Sequence, residues 1–173
     1  QAAQAVIEKS RRKLAISLGC SPDEIIFTSS GTESNNMVLK GVLHSGDHFI
    51  TSSYEHPAIL QVIPYLKRKG IEISLVKPNK NGIVQPETIK QEIQKNTRLI
   101  SIMYVNNELG TINPIMEMAH LSQEKGILFH SDAVQALGKI SLNLSNLKAD
   151  FISMSAHKLY GPKGTGALFI RKS

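Results

Sequence analysis

The residue types able to do chemistry in this chain stand directly after short apolar runs. Ser29-Ser30-Gly31-Thr32 follows Ile25 to Thr28, and Tyr54-Glu55-His56 follows His48 to Thr51. Asn106-Asn107-Glu108 follows Leu99 to Val105. His130-Ser131-Asp132-Ala133-Val134-Gln135 follows Ile127 to Phe129, and Ser155-Ala156-His157-Lys158 follows Phe151 to Met154. A lysine just past an apolar strand is placed for desolvation, which lowers its pKa and frees the amine as a nucleophile. Asp132 and Gln135, three residues apart, present a carboxylate and an amide on one side if a helical turn follows. Gly31 lets the backbone approach a ligand, and Thr32 with the amides of a first helical turn makes an anion cradle. Each feature also has a plain structural reading: an N-cap at Ser30, a capping or packing His56, a turn at Asn106 to Glu108, a surface Lys158.

Those features lie on an alternation of strands and amphipathic helices. Helices are expected over Ala5 to Leu18, Thr32 to Leu43, Pro57 to Lys69, Gln85 to Gln94 and Ile115 to Lys125. Between them fall the apolar runs named above and Ile71 to Val76, with Ala167 to Ile170 as the last strand. Strands alternating with helices imply an α/β fold of three layers: a mainly parallel sheet of about seven strands, with helices on both faces. Such sheets bind ligands at the carboxyl ends of their strands, where these motifs stand.

Which chemistry fits the set follows from its parts. It has no Gly-Lys-Ser/Thr of a P-loop, no Gly-x-Gly-x-x-Gly, and no Gly-x-Ser-x-Gly elbow for a hydrolase. A zinc site from His56, Asp132 and His157 is open by ligand type, without a short His-x-x-x-His pair to support it. A lysine for a Schiff base, a carboxylate for a pyridine nitrogen and a phosphate cup are what pyridoxal phosphate requires, and all three are present.

Composition narrows the field further. The 173 residues suffice for one domain, or the greater part of one, and 41% hydrophobic with 20% charged residues is ordinary for a globular chain. No apolar run approaches the roughly 18 residues of a membrane span. Gln1-Ala2-Ala3-Gln4 has no signal-peptide layout and reads as a cut end. Cys20 is the only cysteine, which excludes an intramolecular disulfide and suits a reducing, cytoplasmic setting. Flanked by Leu18 and Gly19 at a helix end, it reads as a small packed hydrophobe. Net charge is +6, with eight basic against three acidic residues over 67–98. These are spread along helix and strand without interleaved aromatics, which favours a solvated face over a nucleic-acid footprint.

In their order along the chain, Phe27-Thr28-Ser29-Ser30-Gly31-Thr32-Glu33-Ser34-Asn35-Asn36, Tyr54-Glu55-His56, Asn106-Asn107-Glu108-Leu109-Gly110, Ser131-Asp132-Ala133-Val134-Gln135 and Ser155-Ala156-His157-Lys158-Leu159-Tyr160-Gly161-Pro162-Lys163-Gly164 closely resemble the cysteine desulfurases of the NifS/IscS-like group. That resemblance implies the aspartate-aminotransferase fold, with the last strand antiparallel, and pyridoxal 5'-phosphate as cofactor. It implies removal of sulfur from L-cysteine to leave alanine, a homodimer, and a sulfur-acceptor or scaffold protein as partner. By position, Lys158 would hold the cofactor and shuttle protons, Asp132 would pair with the ring nitrogen, and His56 would lie over the ring. Gln135 and Asn107 would serve the phenolic oxygen and the substrate carboxylate region. Gly31, Thr32, Ser155 and His157 would hold the phosphate. Ser30-Gly31 stands where the family commonly has Gly-Ala. Family members are more than twice this long, so residues 1–173 resemble the cofactor-binding large domain alone. The resemblance places the catalytic cysteine in a C-terminal small domain outside this sequence, so that the fragment alone would be inactive. A selenocysteine lyase of the same fold, or a silent scaffold, are the alternatives.

Overall fold

The computed structural model describes residues 2–172. Its strands are β1 (Ile25–Thr28), β2 (His48–Ser52), β3 (Glu72–Val76), β4 (Thr97–Ser101), β5 (Leu128–Asp132), β6 (Phe151–Ser155) and β7 (Gly166–Ile170). The α-helices are α1 (Ala2–Leu18), α2 (Gly31–Val42), α3 (Pro57–Leu60), α4 (Ile63–Arg68), α5 (Pro86–Glu92) and α6 (Ile115–Glu124). One sheet takes all seven strands in the order β1-β7-β6-β5-β4-β2-β3. Neighbours from β3 to β6 run parallel, while β7 runs antiparallel to both β6 and β1. The expected α/β architecture and the antiparallel last strand are both present.

Period-two alternation along the strands feeds two cores on opposite faces of the sheet. Phe49, Leu99 and Leu168 join Val38 and Leu39 of α2 in one core. Their chain neighbours Ile50, Ile100 and Phe169 join Ile89 of α5 and Ile115, Met118 and Ala119 of α6 in the other. Every residue of β2 is buried. Burial on both faces explains why these strands read as unbroken apolar runs.

Three elements differ from the sequence expectation. Pro57 to Lys69 is two helices, α3 and α4, because Pro64 has no N–H to bond back to the preceding turn and its ring crowds that turn. The fourth strand ends at Ser101, not Val105. The chain still runs beside β5, with Ile102 and Tyr104 donating to the carbonyls of His130 and Asp132 at 3.2 and 2.9 Å. After Asp132 the backbone makes successive turns closed on the Ala133 carbonyl, not a regular helix.

The route from β1 into α2 depends on Gly166. A Cβ there would lie 2.6 Å from the Ser30 carbonyl carbon and 2.8 Å from its Cα, both backbone atoms that cannot swing aside. Gly166→Ala is therefore expected to cost about 2–3 kcal/mol, from overpacking against fixed backbone. Urea unfolding measures this; an unchanged midpoint would refute it.

Candidate functional site

A cavity of about 300 Å³ lies at the carboxyl edge of the sheet, lined by residues from α2, the β2–α3 connection, the β4 exit, the β5 exit and the β6 exit. All nine site residues named from the sequence line it: Gly31, Thr32, His56, Asn107, Asp132, Gln135, Ser155, His157 and Lys158. Parallel strands bring these segments to one edge, because every such strand exits the same way.

α2 opens on this cavity. Ser30 caps it by accepting from the Glu33 amide at 3.1 Å, while Glu33 reaches back to the Ser29 amide at 2.6 Å. This reciprocal cap turns the acidic side chain away to Ser29 and leaves the first-turn amides of Gly31 and Thr32 to face a ligand. A Cβ at 31 would meet Val134 Cγ2 at 2.5 Å, so the glycine suits the present placement of Val134. Across from it, the Ser155 hydroxyl and His157 Nδ1 are 2.8 Å apart.

Asp132 is buried at the end of β5. Its Oδ1 accepts from the Val134 amide at 3.0 Å, and its Oδ2 accepts from Asn35 Nδ2 at 2.7 Å. Burial pushes its carboxyl above the ordinary range, while Asn35, the Val134 amide and nearby His56 pull the other way. Two residues earlier, His130 is fully buried between Ser101 and Ser153, whose hydroxyls meet its two ring nitrogens at 2.7 and 2.9 Å. Burial drives its pKa down to about 3, so this row across three strands is neutral.

His56 fulfils its structural reading and its cavity placement together. Its Nδ1 accepts from the Ala58 amide at 3.1 Å, capping α3. That bond leaves the proton of the neutral ring on Nε2. Gln135 Oε1 accepts from Lys139 Nζ at 2.7 Å, which leaves its amide N–H groups for other partners. Asn106 folds the β4 exit: it donates to the Tyr54 carbonyl at 3.0 Å and accepts from the Glu108 and Leu109 amides. That turn sets Asn107 on the rim.

Lys158 departs from expectation. It is exposed, in a 3-10 turn from Ala156 to Leu159 whose end, Tyr160, has a left-handed φ of 59°. The residues described here do not bury the lysine, because the turn carries it off the end of β6. His56, Asp132 and His157 share the cavity, but the described residues hold no cluster of three metal-ligating groups, which removes the support for the zinc alternative.

Two buried polar residues escaped the sequence reading. Asn35 lies one turn inside α2, on the cavity wall; its spacing of four from Gly31 was the available signal. Glu55 is buried, with Oε1 accepting from the Ser52 hydroxyl at 2.6 Å and both oxygens accepting from the Met103 amide at 3.0 and 3.1 Å. It ties the segment before His56 to the β4 exit. Burial, opposed by those bonds and aided by Asp132, raises its pKa to about 8 from an ordinary 4.5. The folded state then holds this proton more tightly than the unfolded chain. Its contribution is present below pH 4.5 and is lost as pH rises toward 8. Glu55→Gln is expected to remove a stability decline on the order of a few kcal/mol across that window. Urea unfolding at pH 5 and pH 8 checks it, and an unaltered slope would refute it.

The model of the family described as aminotransferase class-V matches residues 1–173. The chain belongs to the class-V aminotransferase family. Among curated members it is 49% identical over 173 residues to the cysteine desulfurase IscS of Dictyoglomus turgidum, covering 98% of this chain and 44% of that protein. It is 44% identical to the IscS of Pseudomonas syringae pv. tomato, covering 98% of this chain and 43% of that protein. A solved NifS-like protein superposes with a TM-score of 0.95 at 42% identity, over 99% of this chain and 49% of that one. A structure described as SspA in complex with cysteine gives 0.94 at 37% identity, over 99% and 50%. This family member thus spans a little under half the length of the curated relatives it matches.

Proposed function

We propose that residues 1–173 form the pyridoxal-phosphate-binding large domain of a cysteine desulfurase, which converts L-cysteine to L-alanine and passes the sulfur on as a persulfide. The observation that carries this reading is the single cavity lined by Lys158, Asp132, His56 and the opening of α2 together. Similarity to cysteine desulfurases along 98% of the chain supports it. The residues present fit the cofactor at both ends. A buried carboxylate beside an amide oxygen with no partner, on Asn35, makes a floor of acceptors suited to a protonated ring nitrogen. The first turn of α2 with Ser155 and His157 makes a donor set suited to a phosphate.

When bound, pyridoxal phosphate supplies an electron sink for charge developing beside the substrate amino group. The chain's own residues do the rest. Lys158 offers the amine that anchors the cofactor and carries protons. Asp132 holds a proton at the ring nitrogen, fixed by its two donors. His56 presents its Nε2–H as a donor while Nδ1 accepts in the helix cap, and it moves a proton at Nε2 only when Nδ1 leaves the cap and carries the ring's other proton. Gln135 and Asn107 donate toward the phenolic oxygen and the substrate carboxylate. Gly31, Thr32, Ser155 and His157 bind the phosphate. The wider reading is a cytoplasmic homodimer that hands sulfur to an acceptor or scaffold protein for iron–sulfur or thio-cofactor assembly.

The thiol that accepts sulfur is not Cys20. It packs beside the core between α1 and the amino end of β1, at the sheet edge opposite the cavity. Burial, with Glu24 nearby, raises its pKa to about 11 from 9.0. Its alkylation at neutral pH is expected to be about 100-fold slower than that of a free thiol, in proportion to the lost thiolate. The 173-residue chain should take up pyridoxal phosphate with a visible absorption band, and borohydride should fix it on Lys158. Given cysteine, this chain should make no alanine in steady turnover. Uptake without a band, or fixation elsewhere, would overturn the cofactor reading; turnover abolished by Cys20→Ser would overturn the assignment of the thiol.

A further inference from the structure

Asn35 stands apart from the other cavity residues in having a buried polar atom left over. It is 1% exposed, donates through Nδ2 to Asp132 Oδ2 at 2.7 Å, and its Oδ1 has no partner. The orientation of the amide is dictated. Turned the other way, its oxygen would face a carboxylate oxygen, acceptor against acceptor, so the oxygen must be the atom left unmatched. The bond joins residues 97 apart in sequence, from α2 to β5, and so links the helix that opens on the anion cradle to the carboxylate at the cavity floor.

We propose that Asn35 is a positioning residue for the cofactor: its amide holds the Asp132 carboxylate in one orientation and in its charged form, and its second atom adds an acceptor beside it. This rests on the pyridoxal phosphate reading given above. The physical reason is the opposition at Asp132. Burial favours the neutral carboxyl, which could not hold a proton on a ring nitrogen, and donors to the charged form counter burial. Asn35 and the Val134 amide are the two donors bonded to it. Other charged or titratable groups around Asp132 are Glu55 and His56 before α3, His157 and Lys158 beyond β6, and His130 on β5 itself. Changing Asn35 leaves all of these in place.

The test uses the 173-residue chain with Asn35→Leu, which keeps the volume and removes the donor, and Asn35→Ala, which removes the donor without adding charge or bulk should the leucine variant fail to fold. In the cofactor-free proteins, carbon-13 NMR of the Asp132 carboxyl should show its titration midpoint rising by about one pH unit or more in either variant. For Asn35→Leu, pyridoxal phosphate affinity at neutral pH, read from the visible band, should fall about tenfold or more. That deficit should shrink as pH rises and Asp132 ionises in both proteins, a convergence that loss of packing alone would not produce. An unmoved Asp132 midpoint in a folded variant overturns the proposal, as does an affinity loss of equal size at every pH. A wild-type chain that takes up no pyridoxal phosphate overturns the cofactor reading itself, whatever the titration shows.

Discussion

Lys158→Ala is expected to abolish covalent retention of pyridoxal phosphate. After borohydride treatment the wild-type chain should carry one cofactor mass on the peptide containing Lys158, and the variant none. The expectation follows from placement. Lys158 lines the cavity on the turn that directly continues β6, three residues after that strand, the neighbour of β5, ends at buried Ser155. The other nearby amine, Lys139, is engaged by Gln135 at 2.7 Å and stands outside the cavity lining. The residues proposed to hold the phosphate and the ring nitrogen are untouched by the change, so binding should weaken without vanishing. In a complete enzyme, loss of the anchoring and proton-carrying amine should lower turnover by about 10³-fold or more. Equal labelling of the variant, or turnover within tenfold of wild type (about 1.4 kcal/mol in barrier), would refute the role of Lys158.

Asp132→Asn carries the second large effect. The side chain keeps its shape, but an amide has one acceptor oxygen where the carboxylate has two. Its NH₂ would face either the Asn35 donor or the Val134 amide, setting donor against donor. More important, the negative charge is gone from a buried position, so no group there holds a proton on the ring nitrogen. Turnover of the complete enzyme should fall on the order of 10²–10³-fold, as when one preorganised electrostatic partner is removed from a buried site. Cofactor affinity of the wild type should decline as pH falls through the raised Asp132 midpoint, because the protonated carboxyl is neutral; the variant should lack that decline. Visible-band titrations across pH provide the measurement. A variant with undiminished turnover, or one whose pH profile matches the wild type, would contradict the assignment.

Much of this protein is a local matter and was open to reading from the chain. Strand and helix alternate because apolar spacing switches between runs and a 3.6-residue period, and Gly and Pro mark the changes. Gly31, Thr32, His56, Asp132 and Lys158 were identifiable because each follows an apolar run, and strands running parallel bring their ends to one edge. The errors were local too, and each has a cause. Pro64 breaks the third predicted helix, and the segment from Ile102 to Val105 looks like strand and bonds β5 as one, but its Met103 amide meets the Glu55 carboxyl where a strand neighbour's carbonyl would stand.

What the sequence by itself determined is the set of elements, their type and the chemical character of their ends, since these depend on side chains within a few residues of one another. The tertiary structure alone decided the strand order β1-β7-β6-β5-β4-β2-β3 and everything that follows from it. Asn35 meets Asp132 across 97 residues, Glu55 is sealed against Met103, and His130 sits between serines of two other strands. Lys158, expected to be desolvated, is exposed. Burial and pairing of a polar group are set by whichever distant segment packs against it, and that choice belongs to the whole sheet rather than to any stretch of sequence.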